Sequence, residues 1–88
     1  MKTFVDLEFK SMESIPGGVQ AVGRFPNGYG VSVVSHSFSY GGDKGLFELA
    51  VLGKDGRLCY DTPVTDDVVG WLAGDEVTRL MKEVQELE

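Results

Sequence analysis

The chain has 88 residues and a formal net charge of −6, with 42% hydrophobic and 25% charged residues. This length predicts one domain over residues 1–88, and the composition is that of a folded globular protein. No apolar run approaches the about 20 residues of a membrane-spanning helix, and acids interrupt the N-terminus before a signal region can form. The single cysteine excludes an intrachain disulfide, so we expect a reducing cytoplasm as the location.

The negative charge is concentrated in the last third of the chain. Residues 1–60 hold six acids and six bases, whereas residues 61–88 hold eight acids against Arg79 and Lys82. Direct binding of a nucleic acid requires a basic patch, which this distribution does not offer. A partner with a basic surface is the better expectation.

The first part of the chain is typical of antiparallel strands. Apolar and charged residues alternate over residues 5–10, as in a half-buried strand. Residues 19–25 predict a second strand and residues 29–34 a third. Asn27 and Gly28 lie between them and predict a type I′ hairpin turn, because both residues tolerate the positive φ that this turn needs.

The pattern changes after residue 34. Residues 35–45 form either a bulged continuation of the strand or a mobile loop rich in serine and glycine. Residues 46–52 are almost continuously apolar and predict a central strand that is buried on both faces. A second turn over residues 53–56 then leads into a short strand over residues 57–61.

The acidic residues 62–88 predict two helices. Thr65 is a suitable N-cap for a short helix that continues to Leu72, and a longer helix begins at Asp75. The longer helix carries an apolar stripe formed by Val77, Leu80, Met81, Val84 and Leu87. This stripe, with Val68 and Trp71, is expected to cover one face of the sheet. The predicted fold is therefore α+β, a four- to five-stranded antiparallel meander with one short and one longer C-terminal helix on one face.

No residue pattern points to catalysis or metal binding. His36 is the only histidine and has no neighbouring nucleophile and carboxylate at a characteristic spacing. Residues 41–45 (GGDKG) lack the Ser or Thr and the helix of a phosphate-binding loop. Cys59 is the only cysteine, whereas a structural zinc site needs four ligands. We therefore expect a non-enzymatic protein without a metal or cofactor.

Two groups of residues are candidates for binding a partner. The first group is the acids of the C-terminal third, which could imitate the phosphate backbone of a nucleic acid. Alternatively, these acids simply form a solvated helix face with i, i+4 ion pairs. Phe38 and Tyr40 lie among serines and glycines and are either binding anchors or residues packed under the helices. The candidate partner-binding residues are Asp66, Asp67, Asp75, Glu76, Glu83, Glu86, Phe38 and Tyr40.

The chain also resembles small proteins of bacteriophages and prophages. The resemblance rests on residues 25–34 (FPNGYGVSVV), 40–42 (YGG), 58–63 (LCYDTP) and 65–68 (TDDV). This family carries no activity that could be assigned to a residue. The resemblance implies an accessory protein in the cytoplasm of a bacterial host, of the kind that binds and disables host complexes such as CRISPR or restriction systems.

The first functional hypothesis is thus an inhibitor that binds a basic host protein without contacting nucleic acid directly. An alternative is a structural or assembly protein of the virion, or a dimeric scaffold protein that pairs through a strand edge at residues 5–9. A small enzyme is the third hypothesis.

Overall fold

The strands pair in the order in which they follow one another along the chain. The computed structural model describes residues 1–65 and 67–88, and its five strands form one antiparallel sheet in the order β1-β2-β3-β4-β5. The strands are β1 (Lys10–Ser11), β2 (Val19–Arg24), β3 (Gly30–Ser35), β4 (Phe47–Leu52) and β5 (Val69–Leu72). The predicted antiparallel meander is confirmed. In the described residues it is combined with one α-helix, α1 (Gly74–Gln85), where two helices were predicted.

The helix α1 packs on one face of the sheet, as its apolar stripe predicts. It contacts β3, β4 and β5. Val77, Leu80, Met81 and Val84 are buried, and Leu87 is half-buried against the core. They meet alternate residues of the strands, among them Val31, Val33, Leu49 and Val51. Each of these side chains contributes about 1.5–3 kcal/mol when buried, so this interface is the main source of stability.

The loop between β2 and β3 also holds the end of α1. Asn27 Nδ2 donates hydrogen bonds to the carbonyl oxygens of Val84 and Leu87, at 2.9 and 3.0 Å. Carbonyl groups at a helix C-terminus lack a regular partner within the helix. The carbonyl of Val84 also accepts the amide of Leu87 at 3.1 Å, so Asn27 adds a second donor there and serves the carbonyl of Leu87, which follows the helix. The hairpin loop and the helix therefore fix each other's position.

The type I′ assignment of this loop is wrong. Gly28 has a φ of 92°, but Asn27 is not among the residues with positive φ. The amide of Gly28 donates to the carbonyl of Phe25, and the amide of Phe25 donates to the carbonyl of Tyr29. This is a three-residue loop that ends in a left-handed glycine. Pro26 favours it because its fixed φ suits the first central position of an ordinary turn.

The predicted strand over residues 5–10 is also wrong. Phe4–Asp6 is a 3-10 turn, and pairing with β2 is limited to Lys10 and Ser11. The Asp6 carboxylate accepts the amide of Thr3 at 2.8 Å, which closes the turn. Phe4 packs inward while Val5 is 86% exposed, so residues 5–9 offer no strand edge for dimerisation.

The strand over residues 46–52 lies inside the sheet, between β3 and β5, and its last four residues are buried. The turn that follows is closed by the amide of Gly56, which donates to the carbonyl of Gly53. The predicted strand over residues 57–61 is reduced to a single bridge between Leu52 and Leu58.

The largest correction concerns residues 65–72, where a short helix was predicted. Val69–Leu72 instead forms the edge strand β5, paired with β4. Thr65 does not cap a helix: its hydroxyl oxygen accepts the amide of Asp67 in a local turn. The β-branched residues before Trp71 favour the strand. Among the described residues, no helix has the length and apolar character needed to cross a membrane.

Candidate functional site

Three large aromatic side chains are exposed in two neighbouring segments, the connection between β3 and β4 and the edge strand β5. Phe38 is 82% exposed, Tyr40 61% and Trp71 56%. Phe38 and Tyr40 lie in the connection between β3 and β4, which is a loop and not a continued strand. We call these three residues the aromatic patch. The sequence predicts that Trp71 covers one face of the sheet together with the helix. This prediction is wrong, because Trp71 is exposed on β5.

A β-bulge places Trp71 in this position. Phe47 pairs with Leu72 and Leu49 pairs with Val69, so that Glu48 alone faces both Gly70 and Trp71. Trp71 has a φ of 60°, the only positive φ at a non-glycine residue in the described part of the chain. This backbone conformation is unfavourable for a bulky residue by about 1–2 kcal/mol. Bulges commonly redirect a side chain, and strained residues cluster at functional sites.

The loop that carries Tyr40 lies directly against β5. The amide of Trp71 donates to the carbonyl of Tyr40 at 3.1 Å. A Cβ atom at Gly70 would lie 2.3 Å from the Cβ of Tyr40, and one at Gly41 would lie 3.0 Å from the Cα of Trp71. Only glycine permits this approach, so Gly41 and Gly70 together bring Tyr40 beside Trp71. A glycine is therefore required at position 70 of β5, because a side chain there would clash with Tyr40.

Further hydrogen bonds fix the same loop. The Glu48 carboxylate accepts the amide of Tyr40 at 2.8 Å. The hydroxyl oxygen of Ser39, which is buried, accepts the amide of His36 at 2.9 Å. His36 Nδ1 in turn accepts the amide of Phe38 at 3.1 Å. These hydrogen bonds fix the loop that carries Phe38 and Tyr40, and His36 has a structural role in this loop.

The acidic candidates in α1 and directly after it lie off the apolar stripe. Asp75 and Glu76 are in the first turn, Glu83 is in the last turns and Glu86 follows the helix. Glu76 accepts the amide of Ala73 at 3.1 Å, and Glu83 pairs with Arg79 at 3.0 Å. Two of the four acids therefore have partners within the chain, whereas Asp75 and Glu86 are exposed and receive no side-chain hydrogen bond in the described residues.

Of the two acids before β5, Asp66 lies outside the described residues. Asp67 is exposed, and its carboxylate accepts the amide of Val68 at 2.8 Å. Asp67 precedes Trp71 by four residues and Asp75 follows Trp71 by four, so acids flank the aromatic patch along the chain. The structure thus brings Tyr40, which shares a loop with Phe38, beside Trp71, a residue that the sequence assigned to the covered face of the sheet. It distributes the acids over α1, the residue after it and the segment before β5.

A groove lies at the C-terminal end of α1, apart from the aromatic patch. It has a volume of about 510 Å³ and is lined by Tyr29, Asp61, Thr62, Pro63, Glu86, Leu87 and Glu88. Only Glu86 among the predicted binding residues belongs to it. Lys54 lies over the Tyr29 ring at 5.4 Å from its centroid, so this aromatic face is already occupied by a cation of the same chain.

Cys59 has the surroundings of an unreactive thiol. Its Sγ donates a hydrogen bond to Asp61 Oδ1 at 2.9 Å. This bond is the main cause that raises the pKa of Cys59 above its ordinary value, and the negative charges of Asp61 and Asp55 add to it. A thiol that stays protonated is a poor nucleophile. In the described residues, no three of the His, Cys, Asp and Glu side chains gather in an arrangement that could hold a metal ion.

Comparison with known proteins gives no match: no family model, curated protein or solved structure is detectably similar to this chain.

Proposed function

We propose that this protein is a small, acidic, non-enzymatic binding module, a phage or prophage accessory protein that inhibits a nucleic-acid-handling complex of the bacterial host. Its partner is a host protein with a basic surface, and it does not bind nucleic acid itself. The observation that carries this proposal is the exposure of Phe38, Tyr40 and Trp71 next to a chain segment that holds the whole net charge of −6.

Exposed aromatic residues on a rigid framework are typical anchors of protein interfaces. The loop of residues 36–41 holds two of them outward, and its backbone amides are fixed by hydrogen bonds to the side chains of Ser39, His36 and Glu48. The flanking acids increase the rate of association with a basic surface and select against acidic partners.

The proposed mode of binding differs from pure imitation of a nucleic acid, because charged and aromatic residues have different roles in it. Arg79 lies among the acids of α1 and is paired with Glu83, so this helix face does not carry an uninterrupted row of negative charge. In the proposed complex the acids steer the encounter, and the aromatic residues supply most of the binding free energy.

The test is a plating experiment in bacteria that carry a CRISPR or restriction system directed against a test phage. Expression of the protein is expected to raise the plating efficiency of the targeted phage and to leave that of an untargeted phage unchanged. A panel of such hosts in which the folded protein never protects the phage would contradict the proposal.

A further inference from the structure

We infer that the aromatic patch binds an arginine-bearing basic segment of the partner, with the guanidinium group stacked on the exposed rings of Trp71 and Tyr40. This inference deepens the proposed function and rests on it for the identity of the partner. It assigns the contact surface and its chemistry, and it makes Trp71 the central residue.

The aromatic faces in question are free to accept a cation. Within residues 1–65 and 67–88, the cation found over an aromatic ring is Lys54 on Tyr29, and none lies over Tyr40 or Trp71. The chain therefore uses one tyrosine for an internal cation contact and leaves the aromatic rings beside β5 uncovered.

The charges around the patch favour a cationic occupant. Asp67 and Asp75 flank Trp71 along the chain, and both are exposed. Asp43 and Lys44, in the 3-10 turn that follows Tyr40, cancel one another. The charged residues that neighbour Trp71 and Tyr40 along the chain are thus net negative, and the Glu48 carboxylate, which accepts the amide of Tyr40 at 2.8 Å, adds to this charge. This negative charge complements a basic segment.

Arginine fits this surface better than lysine. Its planar, weakly hydrated guanidinium stacks on aromatic rings while its edges still donate hydrogen bonds to carboxylates. A lysine ammonium is strongly hydrated and has no plane to stack. The pre-formed position of Trp71 and Tyr40 lowers the entropic cost of this contact, because neither backbone segment has to be ordered on binding.

The experiment titrates the protein with an uncharged-end peptide that carries two arginines separated by glycine, and with otherwise identical lysine and glutamate peptides. Trp71 is the only tryptophan, so its fluorescence reports directly on the patch. We expect a saturable change with the arginine peptide, about fivefold weaker binding of the lysine peptide and no response to the glutamate peptide.

Amide chemical shifts measured by NMR locate the contact independently, and they are expected to change at residues 38–41 and 69–72. The double variant Phe38→Ala and Tyr40→Ala should bind the arginine peptide about tenfold more weakly while keeping the dispersed spectrum of a folded protein. Equal binding of the arginine and lysine peptides, unchanged binding by the double variant, or shifts confined to the groove lined by Tyr29, Asp61 and Glu86 would each overturn the inference.

This titration and the plating experiment fail separately. Arginine binding at the patch without protection of any phage would leave the site assignment intact and remove the inhibitory function. Protection that survives the double variant would retain the function and remove the aromatic patch as its site.

Discussion

At the scale of single residues, Trp71 departs most from ordinary backbone rules. A tryptophan at a φ of 60° keeps more than half of its surface exposed, so the protein accepts backbone strain without the usual return in buried area. The bulge places both Gly70 and Trp71 opposite Glu48, and this extra residue prevents a regular strand conformation at Trp71. A binding role for the side chain accounts for both features.

The strain predicts an unusual ranking of two substitutions. Trp71→Gly should give a protein about 1 kcal/mol more stable than Trp71→Ala, because glycine adopts a positive φ without the steric cost that alanine meets. In an ordinary strand the alanine variant is more stable than the glycine variant. Leu49→Ala and Leu49→Gly in the interior strand β4 provide this comparison. Urea unfolding measures both pairs. An alanine variant as stable as the glycine variant would mean that Trp71 is not held at positive φ in solution.

Cys59 and Asp61 give a prediction about reactivity. Because the hydrogen bond from the thiol to the Asp61 carboxylate raises the pKa of Cys59, less thiolate is present at any given pH. Asp61→Asn should lower that pKa and speed alkylation by iodoacetamide near pH 8. Asp55→Asn is the control and should have a smaller effect, since Asp55 acts only through its charge. Equal rates in the wild type and in the Asp61 variant would refute the thiol–carboxylate contact.

At the scale of secondary-structure elements, the loop between β2 and β3 and the helix α1 depend on each other. Asn27 is the link, because its amide group serves two carbonyl groups at the end of α1. The helix C-terminus also carries partial negative charge, which disfavours an acid in this place.

Asn27→Asp should therefore destabilise the fold by about 1–3 kcal/mol at neutral pH, since it removes both donors and adds a negative charge. Thermal unfolding by circular dichroism measures the loss. Gln20→Glu is a matched change from amide to acid, away from the helix, and its partner Ser32 can donate to the new carboxylate. An Asn27 variant that melts together with the Gln20 variant would argue against the cap.

The elements that the sequence predicts correctly are those with strong local periodicity. The apolar stripe of α1 and the apolar runs of β3 and β4 follow directly from residue spacing. The edge strand β5 was missed because Thr65 followed by acids imitates a helix start, and its true structure depends on pairing with β4. Non-local pairing of this kind cannot be derived from spacing alone.

The candidate site divides in the same way. Phe38 and Tyr40 are recognisable in the sequence as possible anchors, since they lie among small residues, but spacing could not decide whether they are exposed. Trp71 was assigned to the core because the bulge that redirects it has no sequence signature other than the preceding Gly70. Close approach of Tyr40 to Gly70 is visible only in three dimensions.

At the scale of the whole molecule, α1 covers one face of the sheet. Trp71 of the aromatic patch lies on β5, which forms the sheet edge opposite β1. The negative charge follows residues 61–88, which include both β5 and α1. Trp71 lies within this charged segment, and the carbonyl of Tyr40 accepts its amide, so a single partner could engage both the charge and the exposed aromatic surface.

Two charge-reversed proteins separate the position of the charge from its amount. Asp75→Lys with Glu86→Lys changes exposed acids of the C-terminal third that have no side-chain hydrogen bond in the described residues. Glu8→Lys with Glu13→Lys makes the same change of net charge in the neutral part of the chain. Circular dichroism should give a helical, folded spectrum for both, because all four side chains are exposed.

The decisive measurement is the plating efficiency of a targeted phage. It is compared for these two proteins, the wild type and the variant with Phe38→Ala and Tyr40→Ala. We expect protection by the wild type and by the Glu8 and Glu13 variant. We expect reduced protection by the Asp75 and Glu86 variant and the weakest protection by the aromatic variant. Equal protection by all four folded proteins would contradict a binding site built from the acidic third and the aromatic patch.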